Sequence, residues 1–130
     1  MLIRRPAVAL ALASLALCQP AECQAAKRQA ARPWVTVVAV GDVQLGRGVG
    51  QAIARHGIDY PFARVRRLIC SADLALANLE CALSRDGVPI SKRFSFKADP
   101  AAADGLAHAG FGVAILANNH SLDCGREALP

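Results

Sequence analysis

Three continuous apolar runs dominate the pattern of hydrophobic and polar positions along this chain. They span residues 34–40, 74–79 and 111–117, and each is apolar at nearly every position rather than at alternate positions. Continuous runs of this length are typical of strands that are covered on both faces, as in a parallel sheet. We therefore predict three adjacent parallel strands.

Between these runs the sequence predicts two crossover helices. The second helix has Asp99 as its N-cap and Pro100 at its first position, points Leu106 inward and ends at Gly110. The first helix opens at Pro61, and its expected apolar face consists of Phe62, Val65, Leu68 and Ile69, with Arg64, Arg66 and Arg67 outside that face.

Two shorter features lie between the second and third runs. Residues 85–89 predict a turn, and residues 93–97 alternate between polar and apolar as a short edge strand does. The predicted fold class is therefore α/β, with a largely parallel sheet joined by right-handed crossover helices.

The chain begins with a segment typical of an export signal. Arg4 and Arg5 precede an uncharged apolar stretch over residues 7–17, which is too short to span a bilayer. We expect residues 1–33 to be a signal peptide and tether, with the leader removed during export to the periplasm or the extracellular face of the membrane. Residues 34–130 form the predicted domain.

The position of cleavage within the leader stays open. Residues 15–18 resemble a lipoprotein acylation box, but the bulky Leu17 directly before the cysteine makes a lipid anchor the disfavoured alternative. Small residues at suitable spacing allow a signal peptidase to cleave after Cys18, Cys23 or Ala25.

Composition and charge exclude two classes of protein. A hydrophobic content of 54% is too high for a disordered chain. The net charge of +5 is concentrated in residues 1–33, which hold five basic and one acidic residue, whereas residues 34–130 hold ten and nine. The domain is therefore nearly neutral and has no basic stripe, so we expect no nucleic-acid partner.

The cysteines of the domain are Cys70, Cys81 and Cys124. No C-x-x-C motif and no cysteine–histidine spacing of a zinc finger is present, which excludes a structural zinc site of that kind. One disulfide among the three is an alternative in an exported chain. We favour three small buried hydrophobic residues.

Polar residues follow each of the three predicted strands. Ligands bind at the carboxyl ends of parallel strands, so polar groups that meet there indicate a site. Carboxylates, amides and an imidazole together suit Mn, Fe, Co or Zn better than calcium. We favour a metal site over the alternative that these residues only form turns and caps. The residues are Asp42, Asn78, Glu80, Asn119 and His120.

At these residues the chain resembles a known family, the CapA-type capsule-biosynthesis proteins of poly-γ-glutamate synthesis. The resemblance covers about residues 34–130. Each motif is weak alone, but five in this order are specific. The motifs are GDVQLGRG at 41–48, DYPF at 59–62, ANLE at 77–80, KRFSF at 92–96 and LANNHSLDCG at 116–125.

That family is similar in turn to the calcineurin-like metallophosphoesterases, which implies a fold and a set of roles. The fold is the N-terminal part of a calcineurin-like sandwich. The resemblance implies a site for as many as two divalent metal ions. Asp42 would be a metal ligand, Glu80 the residue that bridges the two ions, and Asn119 a ligand of the second ion. It also implies that His120 is either the acid that protonates the leaving group or a donor to the transition state.

Two departures from the phosphoesterase pattern qualify this transfer. Gln44 stands where a metal-binding histidine is usual, and the further histidine ligands of such enzymes belong to a second half of the sandwich. We expect a fragment that is inactive and poorly stable by itself. Neither His56, expected in a loop beside a glycine, nor His108, near the end of the second helix, is expected to be a ligand.

Three basic residues are candidates for binding an anionic substrate. Arg47 is the strongest candidate because it lies in the loop directly after Asp42, whereas Lys92 and Arg93 lie at the start of the predicted edge strand. Exposed basic side chains are more often solvated surface. Asp123 either orients His120 or caps a following helix, and the sequence leaves both interpretations open.

The expected function is capsule or poly-γ-glutamate biosynthesis. If the chain has chemistry, it is metal-assisted hydrolysis of a phosphoester or related bond. One alternative is a non-enzymatic factor that handles or assembles the polymer, and another is a hydrolase or transferase on γ-glutamyl amides. The expected partners are an anionic polymer or phosphoester and membrane-associated capsule-synthesis proteins.

Overall fold

The computed structural model describes Cys23 and residues 33–129. A three-stranded parallel sheet organises these residues, with strands β1 (Val37–Val43), β2 (Leu74–Leu79) and β5 (Val113–Ile115) in the order β1-β2-β5. The predicted α/β class and the parallel sheet are confirmed. The arrangement is consistent with part of a calcineurin-like fold.

Strand β1 begins and ends later along the chain than predicted. Its register with β2 pairs Val37 with Leu74 and, after an irregularity between Ala39 and Asp42, pairs Asp42 with Asn78. A bulge of this kind inserts extra residues into one strand and redirects its side chains. Asp42 therefore lies within the hydrogen-bonded part of β1 rather than in the loop beyond it.

The expectation that all three strands are covered on both faces is wrong for the described residues. In β2, Ala75, Ala77 and Leu79 are buried and pack in the core. All three residues of β5 are exposed, and so are most residues of β1. Alternate residues of β2 are buried, so the core lies against one face of this strand, and apolar side chains such as Val37 of β1 are on accessible surface.

The first helix, α1 (Arg47–His56), was not predicted. It packs Val49 and Ile53 against the core and ends at Gly57, whose φ of 92° lies in the left-handed region. Three glycines between positions 46 and 50 weaken the helical pattern in this segment. His56 is the last residue of α1, so its predicted placement in a loop is wrong.

The helix predicted from Pro61 is divided into two parts. A 3₁₀ turn covers Tyr60–Phe62 and the short helix α2 covers Arg66–Cys70. Phe62 and Ile69 are buried as expected, whereas Val65 and Leu68 are exposed. The break between the two parts rotates the chain, and the four apolar residues therefore do not share one face.

The predicted second helix is confirmed as α3 (Ala102–Ala109), but it begins two residues later than predicted, with Ala101 rather than Asp99 at the N-cap position. The Asp99 carboxylate accepts a hydrogen bond from the Ala101 N–H at 2.8 Å, which serves the start of the helix. Leu106 is buried in the core. Gly110, with a φ of 99°, ends the helix in the left-handed conformation.

The predicted edge strand over residues 93–97 is mostly wrong. Only β4 (Lys97–Ala98) forms, and it pairs in parallel with β3 (Ala82–Leu83). The preceding segment is held by contacts to a buried carboxylate instead of by a strand partner, as described below. Residues 85–87 bend as the predicted turn requires.

The cysteines differ from the favoured prediction in one respect. Cys81 and Cys124 are buried free thiols, as expected. Cys70, however, forms a disulfide with Cys23, 47 residues earlier in the chain. The expectation for Cys70 considered only partners within the domain, and the actual partner lies in the predicted leader.

The rest of the predicted leader, residues 1–22 and 24–32, lies outside the described residues, and so does the predicted export signal. Among the described residues, none of the helices combines the length and the apolar character needed to cross a membrane.

A matched pair of glycine substitutions tests the packing of α3. A Cβ at Gly105 would lie 2.6 Å from the carbonyl oxygen of Ile58, whereas a Cβ at Gly48 in α1 meets nothing within 4 Å. We expect Gly105→Ala to lower the free energy of unfolding by about 1–3 kcal/mol, because backbone must move to accommodate the methyl group. Gly48→Ala should raise it by about 0.5–1 kcal/mol through helix propensity.

Urea denaturation of the two variants measures both effects. Equal changes of the same sign would contradict the close approach of α3 to the segment that contains Ile58.

Candidate functional site

The polar residues predicted to meet at one sheet edge are joined there by the side chain of Asn78. Its amide nitrogen donates to Asp42 Oδ1 at 2.8 Å and to Glu80 Oε2 at 2.6 Å. Pairing of Asp42 with Asn78 across β1 and β2 makes the first contact possible. One amide group thus holds two carboxylates from neighbouring strands together.

Asn118 fixes the orientation of that amide and was missed by the sequence interpretation. Its side-chain nitrogen donates to Asn78 Oδ1 at 2.8 Å and to the Leu79 carbonyl at 2.9 Å. Its side-chain oxygen accepts the His120 N–H at 2.9 Å. Because Asn78 Oδ1 already accepts from Asn118, the Asn78 NH₂ group must face the carboxylates.

Asn119, the predicted ligand, is exposed at the same edge. Its backbone carbonyl accepts a hydrogen bond from Lys92 Nζ at 2.9 Å. Asn118 lies in a bend and Asn119 in the turn that follows it, and the side chain of Asn118 is the one that bonds to Asn78. No local pattern of the sequence separates the two asparagines, because both follow the same apolar run.

His120 is nearly buried and contacts groups on both of its ring nitrogens. Nδ1 lies 2.7 Å from Asp123 Oδ2, and Nε2 lies 3.5 Å from Glu80 Oε1. The imidazole also packs against the ring of Phe96, with 4.3 Å between the ring centroids. His120 therefore connects the carboxylates of the sheet edge to the buried Asp123.

Asp123 is completely buried and remains charged because its neighbours compensate for its burial. Burial alone would raise its pKa. Hydrogen bonds from Lys92, His120 and the Phe96 N–H outweigh that effect and hold the pKa of the carboxyl below its usual range. Asp123 thus orients His120, which is one of its two predicted roles; the 3₁₀ turn that follows it, Arg126–Ala128, has Gly125 at its N-cap position and no side-chain cap.

The ionised state of Asp123 determines where a proton sits on His120. A carboxylate can only accept, so the 2.7 Å contact requires a hydrogen on Nδ1. The Lys92 ammonium is farther from Nδ1, at 3.4 Å, and pairs with Asp123 Oδ1. Nε2 is consequently the ring nitrogen that faces Glu80.

The three basic candidates occupy different positions. Lys92 is bound within the Asp123 network, with 30% of its side chain exposed. The guanidinium of Arg47 lies over Phe96, 5.0 Å from the ring centroid, and that of Arg93 lies over Phe94 at 5.3 Å. The two arginines are thus supported by aromatic rings beside the network.

The other two histidines lie away from this edge. His108 Nδ1 is 2.9 Å from Asp59 Oδ1, and His56 packs against the ring of Tyr60. Both contacts are local, and neither histidine contacts the residues around Asn78.

A separate apolar cavity of about 370 Å³ lies between α3 and β5. It is lined mainly by hydrophobic residues, and none of the predicted site residues contributes to it. The polar edge around Asn78, which carries the titratable groups, is the better candidate for chemistry.

The residues at this edge fit part of a metal shell. The carboxylate oxygens of Asp42 and Glu80 meet at the Asn78 amide nitrogen, and His120 Nε2 faces Glu80 Oε1. Two carboxylates and an imidazole are the donor set expected for Mn, Fe, Co or Zn. In the described part of the chain, no three residues among His, Cys, Asp and Glu lie close enough together to hold an ion. The described residues alone thus do not complete a site.

Comparison with known proteins supports the resemblance seen in the motifs. A family model described as "Bacterial capsule synthesis protein PGA_cap" matches residues 36–130. The chain is also similar to the capsule biosynthesis protein CapA of Bacillus anthracis, with 30% identity over 97 residues. That alignment covers 72% of this chain and 24% of the relative, so the chain spans about a quarter of the relative's length. The predicted family is confirmed: the chain belongs to the PGA_cap family of bacterial capsule synthesis proteins.

Proposed function

We propose that this chain contributes a divalent metal site to capsule biosynthesis and that the site supports hydrolysis of a phosphoester or related bond. The observation that carries the proposal is the Asn78 amide, which holds the carboxylates of Asp42 and Glu80 together beside His120 Nε2. The Asn78 amide is a neutral donor and offers no positive charge to the two carboxylates, which a divalent cation at that edge would supply.

The residues that would hold the ion are Asp42 and Glu80, with Asn119 as an exposed amide at the same edge. We propose Glu80 as the residue shared between two ions if two are bound. A divalent cation there would supply Lewis acidity and would lower the pKa of a nearby water molecule.

The role proposed for His120 is to carry a proton at Nε2. Asp123 holds the imidazole through Nδ1, so rotation of the ring is restricted and Nε2 stays directed at the edge. Protonated Nε2 can donate to the leaving group of a substrate bound beside Glu80. Lys92 supports this role indirectly, since it helps to keep Asp123 ionised.

The proposed substrate carries negative charge. Arg47 and Arg93 present guanidinium groups near Phe94 and Phe96, where they can bind carboxylate or phosphate oxygens in bidentate geometry. Lys92 remains a substrate-binding candidate only through the exposed part of its side chain. The proposed partners are an anionic polymer and membrane-associated capsule-synthesis proteins, and the proposed location is outside the cytoplasm.

Manganese titration tests the metal site. We expect Mn²⁺ to bind the wild-type chain weakly, because the described residues supply only part of a metal shell. Asp42→Asn and Glu80→Gln should each weaken Mn²⁺ binding, because each substitution removes a charged oxygen donor. Loss of a residue that only supports a ligand weakens metal binding by roughly 10–100-fold, and loss of a ligand should cost at least as much. Isothermal titration calorimetry measures the affinities.

Asp86→Asn is the matched control, since Asp86 is an exposed acidic residue of the 85–87 bend. If all three variants bound Mn²⁺ as the wild type does, the ion would not be held by Asp42 and Glu80.

Substrate assays distinguish the chemical alternatives. Hydrolysis of an aryl phosphoester in the presence of Mn²⁺, with kcat lowered roughly 10²–10⁴-fold by His120→Asn, would support the phosphoester proposal with His120 as the acid, and would contradict the expectation that this chain is inactive by itself. Cleavage of oligo-γ-glutamate instead would indicate action on γ-glutamyl amides. Metal binding with turnover of neither substrate would favour a polymer-handling factor.

The buried Asp123 also makes a stability prediction. Asp123→Asn removes the charge that pairs with Lys92 and accepts from His120, so we expect the free energy of unfolding to fall by about 2–3 kcal/mol. That is less than the cost of breaking a fully buried ion pair, because Lys92 is 30% exposed. Denaturant unfolding measures the loss, and exposed Asp86→Asn should change stability by less than about 0.5 kcal/mol. Equal effects of the two substitutions would contradict the assigned network.

A further inference from the structure

The disulfide between Cys23 and Cys70 links the predicted leader to the domain. Cys23 is completely buried and Cys70 is nearly so. The pair packs against Gly110, where a Cβ would lie 3.0 Å from Cys70 Sγ and 3.1 Å from Cys23 Sγ. Gly110 also has the left-handed φ that ends α3. The space occupied by Cys23 is therefore part of the packing between α2 and the end of α3.

This link bears on the cleavage position that the leader sequence leaves open. Cleavage after Cys23 or after Ala25 would separate Cys23 from the domain, whereas cleavage after Cys18 keeps it attached. We infer that the exported chain retains Cys23 bonded to Cys70 and that the leader is removed after Cys18. The inference rests on the proposed export of the chain.

The chemistry of the bond agrees with export. Joining the two thiols releases two protons and two electrons, which a protein disulfide of the export compartment takes up by thiol–disulfide exchange. Such oxidants maintain disulfides outside the cytoplasm. Inside the cytoplasm, thiols are kept reduced. A signal peptidase acts on the same side of the membrane, and small residues at Ala16 and Cys18 meet its requirement.

Intact mass of the chain, expressed in full in an exporting bacterium, tests the inference. Alkylation after denaturation but without reduction counts the thiols. We expect a first residue of Gln19 and two alkylated cysteines, Cys81 and Cys124, because Cys23 and Cys70 are bonded. A first residue of Gln24 or Ala26, with Cys70 alkylated as a third thiol, would overturn the inference while leaving export intact.

Other outcomes are equally decisive. A first residue of Cys18 carrying a lipid would overturn the cleavage site. A chain that keeps Met1 and stays in the cytoplasm would overturn export and this inference together.

Thermal unfolding supplies an independent check of the bond. Cys23→Ser and Cys70→Ser should each lower Tm by roughly 10 °C or more, and the double variant should lower it no further than Cys70→Ser alone, because one bond is lost in every case. Dithiothreitol should lower the Tm of the wild type and leave that of the double variant unchanged. Additive effects of the two substitutions would show that the cysteines act separately and would contradict the link.

Discussion

The hydrogen bonds of the Asn78 side chain determine the geometry of the whole polar edge. One amide nitrogen serves Asp42 of β1 and Glu80 directly after β2, and the amide oxygen is occupied by Asn118 from the segment after β5. All three strands of the sheet are therefore connected through a single side chain. The bulge in β1 is part of the same constraint, because it brings Asp42 opposite Asn78. A shift of either strand by one residue would turn these groups to the opposite face.

Asp123 has a comparable influence on the segment before β4. Its carboxylate accepts the Phe96 N–H, and its backbone carbonyl accepts the Ile90 N–H at 2.8 Å. These contacts take the place of strand partners, which explains why the alternating residues 93–97 form so little strand. The buried charge thus shapes the backbone that carries Phe94 and Phe96 as well as the orientation of His120.

The sequence predicted those parts of the structure that depend on local pattern. The three apolar runs gave the parallel sheet, and the Asp99, Pro100 and Gly110 signals gave α3. Helix α1 was missed because glycines mask its periodicity. Asn118 could not be separated from Asn119 without the direction of each side chain, and the Cys23 to Cys70 bond joins segments whose proximity depends on tertiary packing.

The Asp123 network also connects Arg47 to His120, the proposed proton donor. Phe96 packs against His120 on one side and lies under the Arg47 guanidinium at 5.0 Å, while its own N–H is fixed by Asp123. Movement of the 93–96 segment would therefore change the environment of His120 and the position of Arg47 together. An anion bound by Arg47 would favour the arrangement in which Phe96 is seated, and that arrangement is also the one that keeps His120 Nε2 directed at Glu80. The position of Arg47, which would bind the anion, and the orientation of the His120 imidazole thus depend on the same packing. A substitution at Phe96 would therefore affect both, although Phe96 itself carries no reactive group.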